Sequence, residues 1–549
     1  MIGTNHCGQV TKEELSAIPG IADWQVNGKL ESESFAFYNC ITLPLLEQVG
    51  IFRPLYSKIG RPSTNPAILA SALIYGKMKS LSDSPLVEEV LSSDATQIAL
   101  GVYKSPYAPF NKQRLYEFRN RLADYKNSTG IDLLEQATLI VTNKFATAMG
   151  ITGNLGRMDS TLIEANIRVR SRIDLIYTSI YDTCRVMFQT VSAEFVKMHN
   201  LEEFRKYTER DYRNQFLYRK AEDSLDKLPE LFDAYKRLRE VNFLTDRYLR
   251  KEVSTFRTME KVFFQQTTID SLTGERRLYV AEDHAMHSGI LQSTYDLDCA
   301  YRDKDGNTVR GYVANTLESV GINGTLVTHW ALAPANVADS VLFERYLNSL
   351  ADVPSLERSN YKKIVIDAAY YSGKLAKLAN KKGILLFPSD LTGTDVDPVW
   401  AQFELNDYGT EVIKCPKGNT ILDCGELNKQ GRMTVHMEPS GCENCPNKAA
   451  CKVKGKYVAS VSVSPKTVYR AKIQEALGTE AYQPYQHLRN GVETIQNLLK
   501  NVYGFTRMRF KSLVKNELDL SCAVAALNFR KYLGFLNDTG RYAENELLE

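Results

Sequence analysis

The sequence predicts an α/β protein in which a mixed β-sheet flanked by helices carries two insertions and follows an all-α N-terminal domain. Three observations predict it. Helical apolar spacing dominates residues 1–150; short apolar runs bearing an aspartate recur around Asp159 and Asp367; and two stretches of different composition, 171–290 and 390–475, interrupt the region between 151 and 535.

A chain of 549 residues, 44% of them apolar, exceeds one ordinary core and has ample material for several. Its 68 Lys+Arg against 65 Asp+Glu give a formal charge of only +3, so any affinity for nucleic acid must come from local basic patches. The start, Met1 to Val10, has no basic region followed by an apolar run. No later stretch reaches the roughly 18 to 20 apolar residues of a membrane span, which predicts a soluble cytoplasmic protein with no membrane partner.

The N-terminal elements follow from apolar periodicity and its interruptions. Phe35 to Val49 predicts one helix, Gly60 to Pro66 a break, Ala67 to Met78 a second helix, and Ser84-Pro85 opens a third. Lys112 to Ala123 predicts a further helix whose Lys112, Arg114, Arg119 and Arg121 make one side basic. The bundle suits DNA binding, as a helix-turn-helix variant, or dimerisation and packing.

After a helix over Ala137 to Ala148, Leu155 to Ile163 predicts a strand with Asp159 inside it. A carboxylate there costs free energy unless something neutralises it. A bound cation is one answer, and an aspartate capping a turn through its own backbone is the other. Residues 171–262 are rich in charge and carry helical spacing at Leu225, Leu228, Leu231, Phe232, Tyr235 and Leu238, predicting an inserted helical pair.

Strands then take over. Asp305-Gly306 predicts a hairpin turn, Thr308 to Val320 and Gly324 to Leu332 alternate as antiparallel partners, and Asp339 begins a helix to about Leu350. Ile364-Val-Ile366 predicts a buried strand with Asp367 at its carboxyl end, where open sheets bind ligands. A helix from Ser372 to Lys382, a strand from Ile384 to Pro388 and an apolar helix from Leu518 to Leu533, packed under the sheet, complete the scheme.

Between the last two lies Tyr485 to Lys500, predicted as one helix. Leu488, Val492, Ile495, Leu498 and Leu499 face a core, and Arg489, Glu493 and Lys500 share a neighbouring face. The element order is strand with Asp159, two strands, helix, strand with Asp367, helix, strand, helix with Glu493. That is the connectivity of a ribonuclease-H-like mixed sheet, which would bring three remote carboxylates to one edge.

Four motifs in this order resemble those of the DDE transposases of bacterial insertion sequences. Asp159-Ser-Thr resembles the strand of their first aspartate, and Ile364 to Ser372 the strand of the second. His329 to Ser340 is similar to the family's block between them, with Pro334, Asn336 and Asp339 in place. The helix of Glu493 resembles the family's Tyr/Arg/Glu/Lys signature, with one residue more between Tyr485 and Arg489 than the family usually has. Gly60 to Arg121 also looks like the family's N-terminal domain.

The resemblance implies a transposase that cuts and joins DNA at transposon ends as a homodimer. Asp159, Asp367 and Glu493 would be catalytic and hold two Mg²⁺, or Mn²⁺, about 3.5 to 4 Å apart. Double-stranded DNA would be the partner and the nucleoid the place of work. Arg489 and Lys500 would hold phosphates or steady Glu493. Arg507, Arg509 and Lys511, with Tyr503 and Phe505 between, form a second phosphate-binding patch, and Arg119 and Arg121 a third.

Five of the ten cysteines fall between 415 and 451. Cys442, Cys445 and Cys451, closed by Cys415, suit a structural Zn²⁺ site, with Cys424 and His436 as other candidates for the fourth ligand; free thiols in a disordered insertion are the alternative. Two rival functions remain: a nuclease of the same fold that cuts without joining, and a catalytically silent DNA-binding protein. Residues 536–549 read as a tail.

Overall fold

The computed structural model describes residues 29–57, 59, 63–103, 109–216, 226–244, 254–279, 288–304, 306–354, 357–391, 395–406, 409–455 and 457–539. The Gly60-Arg61-Pro62 part of the N-terminal likeness lies outside them, as does Cys7.

The N-terminal helices start where side-chain caps are available. Asn65 accepts from the amide of Ala67 to open α1 (Pro66–Met78), and α2 spans Asp83–Ser92. Asn111 opens α3 (Lys112–Thr129) and Asp132 opens α4 (Leu133–Ala148). The predicted helix over Phe35 to Val49 is instead broken into Lys29–Phe37, a wide π turn at Tyr38–Thr42, Leu43–Glu47 and a 3-10 stretch Val49–Leu55. Pro44 supplies the reason, because its ring excludes the regular carbonyl placement one turn earlier.

The central sheet comprises β1 (Leu155–Glu164), β2 (Ala300–Lys304), β3 (Asn307–Gly321), β4 (Gly324–Pro334), β5 (Lys362–Ile366) and β6 (Ile384–Pro388). β1 lies between β3, antiparallel to it, and β5, parallel to it; β6 extends the sheet in parallel beyond β5. On its far side β3 is paired along one half with β2 and along the other with β4, both antiparallel. The handover falls at Gly311, where an added Cβ would stand 2.0 Å from the carbonyl oxygen of Ile163, so only glycine lets β1 and β3 run this close.

Helices α8 (Asp339–Ser349) and α9 (Gly373–Lys381) cover one face of the sheet over Met158, Leu317, Ile364 and Ile366. The other face takes a short pair, α10 (Gln483–Asn490) and α11 (Val492–Asn501), and the long α12 (Leu513–Thr539). There Ile163, Tyr312 and Trp330 of the sheet, Ile495 and Leu499 of α11, and Leu520 and Phe529 of α12 share one core with Phe37, Leu73, Phe118 and Phe145. The N-terminal helices and the sheet are thus packed around the same apolar interior.

Both predicted insertions are built around cores of their own. The first carries helices α5 (Arg172–Thr190), α6 (Leu228–Leu244) and α7 (Ser254–Gln266), joined through Ile176, Tyr177, Leu231 and Met259. The second holds a three-stranded sheet, Ile421–Cys424, Met433–Met437 and Ala459–Val463, over Phe403, Val435, Val461 and Val468. Among the described residues no single helix is long and apolar enough to cross a membrane.

Candidate active site

The parallel pairing of β1 and β5 leads toward the two aspartates. Arg157 on β1 is in register with Val365 on β5. Asp159 and Asp367 each lie two residues further along, Asp159 within β1 and Asp367 at the first position past the end of β5, beyond the last pair of that ladder. Each carboxylate takes the amide of the next residue: Asp159 Oδ1 accepts from Ser160 and Asp367 Oδ1 from Ala368, both at 2.8 Å. Asp367 therefore also begins the 3-10 turn Ala368–Tyr370, the capping role weighed for such a residue. Ser389 at the end of β6 lies 3.5 Å from the same oxygen.

Glu493 approaches from the face opposite α8. It is exposed in the first turn of α11, while Ile495 and Leu499 anchor that helix in the shared core. One turn beyond Glu493, the Gln496 amide donates to Thr316 Oγ1 at 3.1 Å, and Thr316 is the residue paired with Asp159 across β1 and β3. The helix of Glu493 is thereby fastened to the strand pair that carries the first aspartate.

The single helix predicted over Tyr485 to Lys500 is two helices separated at Gly491. Arg157 intrudes at that point, its Nη1 donating to the carbonyl of Leu488 at 2.7 Å. Arg489 consequently stands on α10 and Glu493 with Lys500 on α11; the Arg489 side chain lies outside the described residues. Tyr485 packs away from Glu493, stacked on Phe387 and accepting from Lys363 Nζ at 3.0 Å.

Beneath the aspartates a buried polar network occupies the other face of β1. Ser160 Oγ donates to Asp339 Oδ1 at 2.6 Å, Arg302 reaches Asp339 Oδ2 at 3.4 Å, and Asn315 Nδ2 donates to the Tyr370 hydroxyl at 2.7 Å and to the Asp159 carbonyl. Burial, with Asp339 and Asp159 nearby, raises the Tyr370 hydroxyl well above the usual tyrosine range, so it stays protonated. Asp339 was legible as a helix start and as part of the block resembling the family's; its place below Asp159 was not.

The basic residues divide into two groups. Arg119 is buried and forms a bidentate pair with Asp83 at 2.6 and 2.7 Å, and Arg509 closes on the same carboxylate at 2.8 Å. Burial works against the Asp83 charge, but the two guanidiniums hold its carboxyl below the usual range. Arg119, expected to face DNA, lies on the inward side of α3 with Leu115, Phe118 and Leu122, and its guanidinium is paired there. Arg121 is exposed, with its guanidinium donating to the Leu55 carbonyl over the Tyr56 ring. Arg507 remains more than half exposed, 3.8 Å from Glu164, and Lys511 lies over Tyr295.

In the second insertion Cys415, Cys442, Cys445 and Cys451 line one pocket. Asn419 donates its backbone amide to Cys415 Sγ at 3.1 Å and its side-chain amide to Cys442 Sγ at 3.0 Å. Cys424 stands apart against Met433, and His436 faces Asp423, so neither joins the pocket. Burial raises the Cys442 thiol and pushes Cys451 up to about 11, which keeps both protonated without a cation. The cysteines sit on an ordered core rather than in a disordered loop. Among the described residues no group of three His, Cys, Asp or Glu side chains is arranged so as to hold a metal ion, at this pocket or at the aspartates.

Residues 414–533 match the family model "Transposase DDE domain" and residues 41–121 match "Transposase domain (DUF772)". The chain carries two domains typical of bacterial insertion-sequence transposases, and the resemblance drawn from its motifs is borne out. The first match takes in Glu493 and the four pocket cysteines but neither aspartate. No curated protein matches the chain. A solved piggyBac transposase synaptic complex with hairpin DNA aligns at a TM-score of 0.32 and 9% identity, over 93% of this chain and 79% of that one. An overlap that loose carries no argument about fold or mechanism.

Proposed function

We propose that the chain is a DNA transposase that cuts and joins phosphodiesters at insertion-sequence ends, with Asp159, Asp367 and Glu493 as its metal-holding acids. The observation that supports this best is the register: the parallel pairing of β1 with β5 runs up to Arg157 and Val365, two residues short of Asp159 and Asp367, and the Gln496–Thr316 bond ties Glu493's helix to the β1–β3 pair that carries Asp159. The order β4-β3-β1-β5-β6, with only β3 running against the rest, supports a ribonuclease-H-like assignment of the sheet.

The donor type, three carboxylates from separate elements, is the one that Mg²⁺, or Mn²⁺ in its place, takes, although the three are not gathered into a metal-holding group in this structure. Bound there, the ions would lower the pKa of water and neutralise the leaving oxygen. The protein's own part is to hold the acids. Asp159 and Asp367 are each oriented by the following amide, and Ser160, Asp339 and Asn315 brace β1 from below. Arg489, Lys500, Arg507 and Lys511 are the cations assigned to DNA phosphates, on transposon ends and target, with a homodimer pairing the ends. In the second insertion a structural Zn²⁺ on Cys415, Cys442, Cys445 and Cys451 is supported by the four thiols sharing one pocket.

The test is a strand-transfer assay on duplexes carrying the DNA that flanks the gene, with Mg²⁺, comparing wild type with Asp367→Asn. Joined product from wild type and a loss of about three orders of magnitude in the variant support the reading. Cut DNA with no joined product would make the protein a nuclease, and end binding without nicking in either form a silent binder.

A further inference from the structure

We propose that Arg157 is a positioning residue that sets where Glu493 stands relative to Asp159. This deepens the reading of Glu493 as a metal-holding acid and rests on it.

Alternation along β1 puts Arg157 and Asp159 on one face, opposite Glu318 and Thr316 of β3. That is the face on which α11 packs. The guanidinium has two fixed partners on different elements: Nε donates to Glu318 Oε2 at 2.5 Å and Nη1 to the Leu488 carbonyl at 2.7 Å. Glu318 is itself immobile, because Lys531 of α12 and Thr325 of β4 close on its other oxygen. Leu488 lies in the last turn of α10, where carbonyls lack intrahelical donors and the helix presents its negative end, so a cation there is favoured twice over.

Space for this contact exists only because residue 491 is glycine. A Cβ at Gly491 would stand 1.9 Å from Arg157 Nη1 and 2.6 Å from Cζ. The backbone at Gly491 is helical, with φ −70° and ψ −18°, so the glycine is needed for room rather than for an unusual conformation. The break between α10 and α11 is therefore occupied by a side chain from Asp159's own strand. Five residues past Leu488 comes Glu493, and three past that Gln496, bonded to Asp159's partner Thr316. Glu493 is bracketed by two ties to a single strand pair. A misplacement of about 1 Å in such an arrangement can cost about a hundredfold in rate.

The experiment uses the full-length protein and measures nicking of end duplex against Mg²⁺ concentration, with thermal melting and end binding in parallel. Arg157→Met is expected to raise the Mg²⁺ needed for half-maximal nicking about tenfold and to lower the maximal rate about a hundredfold, with end binding within about twofold of wild type. Arg157→Lys, which keeps the charge but not the fork, should recover part of the loss. Gly491→Ala, which displaces the guanidinium without removing it, should reproduce the shift and carries the test if Arg157→Met does not fold. Wild-type metal dependence in Arg157→Met or Gly491→Ala, whatever the melting temperature, with Glu493→Gln inactive, overturns the proposal alone. Full activity in Glu493→Gln removes the reading of Glu493 on which it stands.

Discussion

Lys531, on the last helix, closes an ion pair on Glu318 of the central hairpin, whose side chain is 1% exposed. Burial works against the carboxylate, yet Lys531 and Arg157 together hold it below the usual carboxylate range. Removing one member of such a set leaves uncompensated charge in the interior. Glu318→Ala is expected to cost about 3 to 5 kcal/mol in a denaturant titration. Glu117→Ala, which removes an exposed pair with Arg114, should leave the denaturation midpoint where it is in wild type.

Asn528, fully buried on α12, behaves as a surrogate strand. Its side chain accepts from the Val327 amide at 2.9 Å and donates to the Val327 carbonyl at 2.8 Å, with Thr142 beyond, closing the outer edge of β4. Asn528→Ala strands both main-chain groups and should lower stability by about 2 to 4 kcal/mol, read by the same titration. A change below about 0.5 kcal/mol would mean that the edge is satisfied by other means.

His329 supplies a pH dependence. Half-buried beside Tyr346, its imidazole is pushed down to about 4 by burial. The unfolded chain takes up this proton near pH 6.5 and the folded chain only near 4, so the unfolded state binds more protons between those values. Stability from this residue is complete above about pH 6.5 and is lost as the pH falls toward 4. Melting temperatures of wild type and His329→Gln measured across that window should converge as the pH drops.

Basic residues should separate by burial. Arg507→Ala is expected to weaken DNA binding and to reduce the slope of log K against log salt by about one, with the melting temperature unchanged. Arg119→Ala should instead lower the melting temperature, since it abandons the buried Asp83, and leave the salt slope as it was. The reverse pattern would return Arg119 to the DNA interface.

The cysteine pocket predicts a metal content. Protein purified without chelator should carry about one zinc per chain by mass spectrometry, and Cys442→Ser together with Cys451→Ser should abolish it. Zinc-free wild-type protein with an unchanged melting temperature would leave the pocket as four free thiols.

What was legible in the sequence was whatever local pattern controls. The strands of Asp159 and Asp367, the hairpin of β3 and β4, and α12 beneath the sheet all have a period or a turn that announces them. Contacts between distant segments were not. Arg157 drew no reading from the sequence, although its place two residues before Asp159 was enough to put both on one face. Arg119 looked exposed because its partner Asp83 belongs to another helix. The break at Gly491 was invisible because its cause, the Arg157 side chain, comes from more than 300 residues earlier.

The apolar interior described above draws on the first described helix and on α12 alike. A chain terminated before Leu513 would lack the layer on which both α1 and β4 rest. During synthesis, then, the N-terminal helices lack this packing partner until residues 513–539 emerge. Nonsense mutations late in the gene should yield insoluble polypeptide rather than a shortened but competent protein.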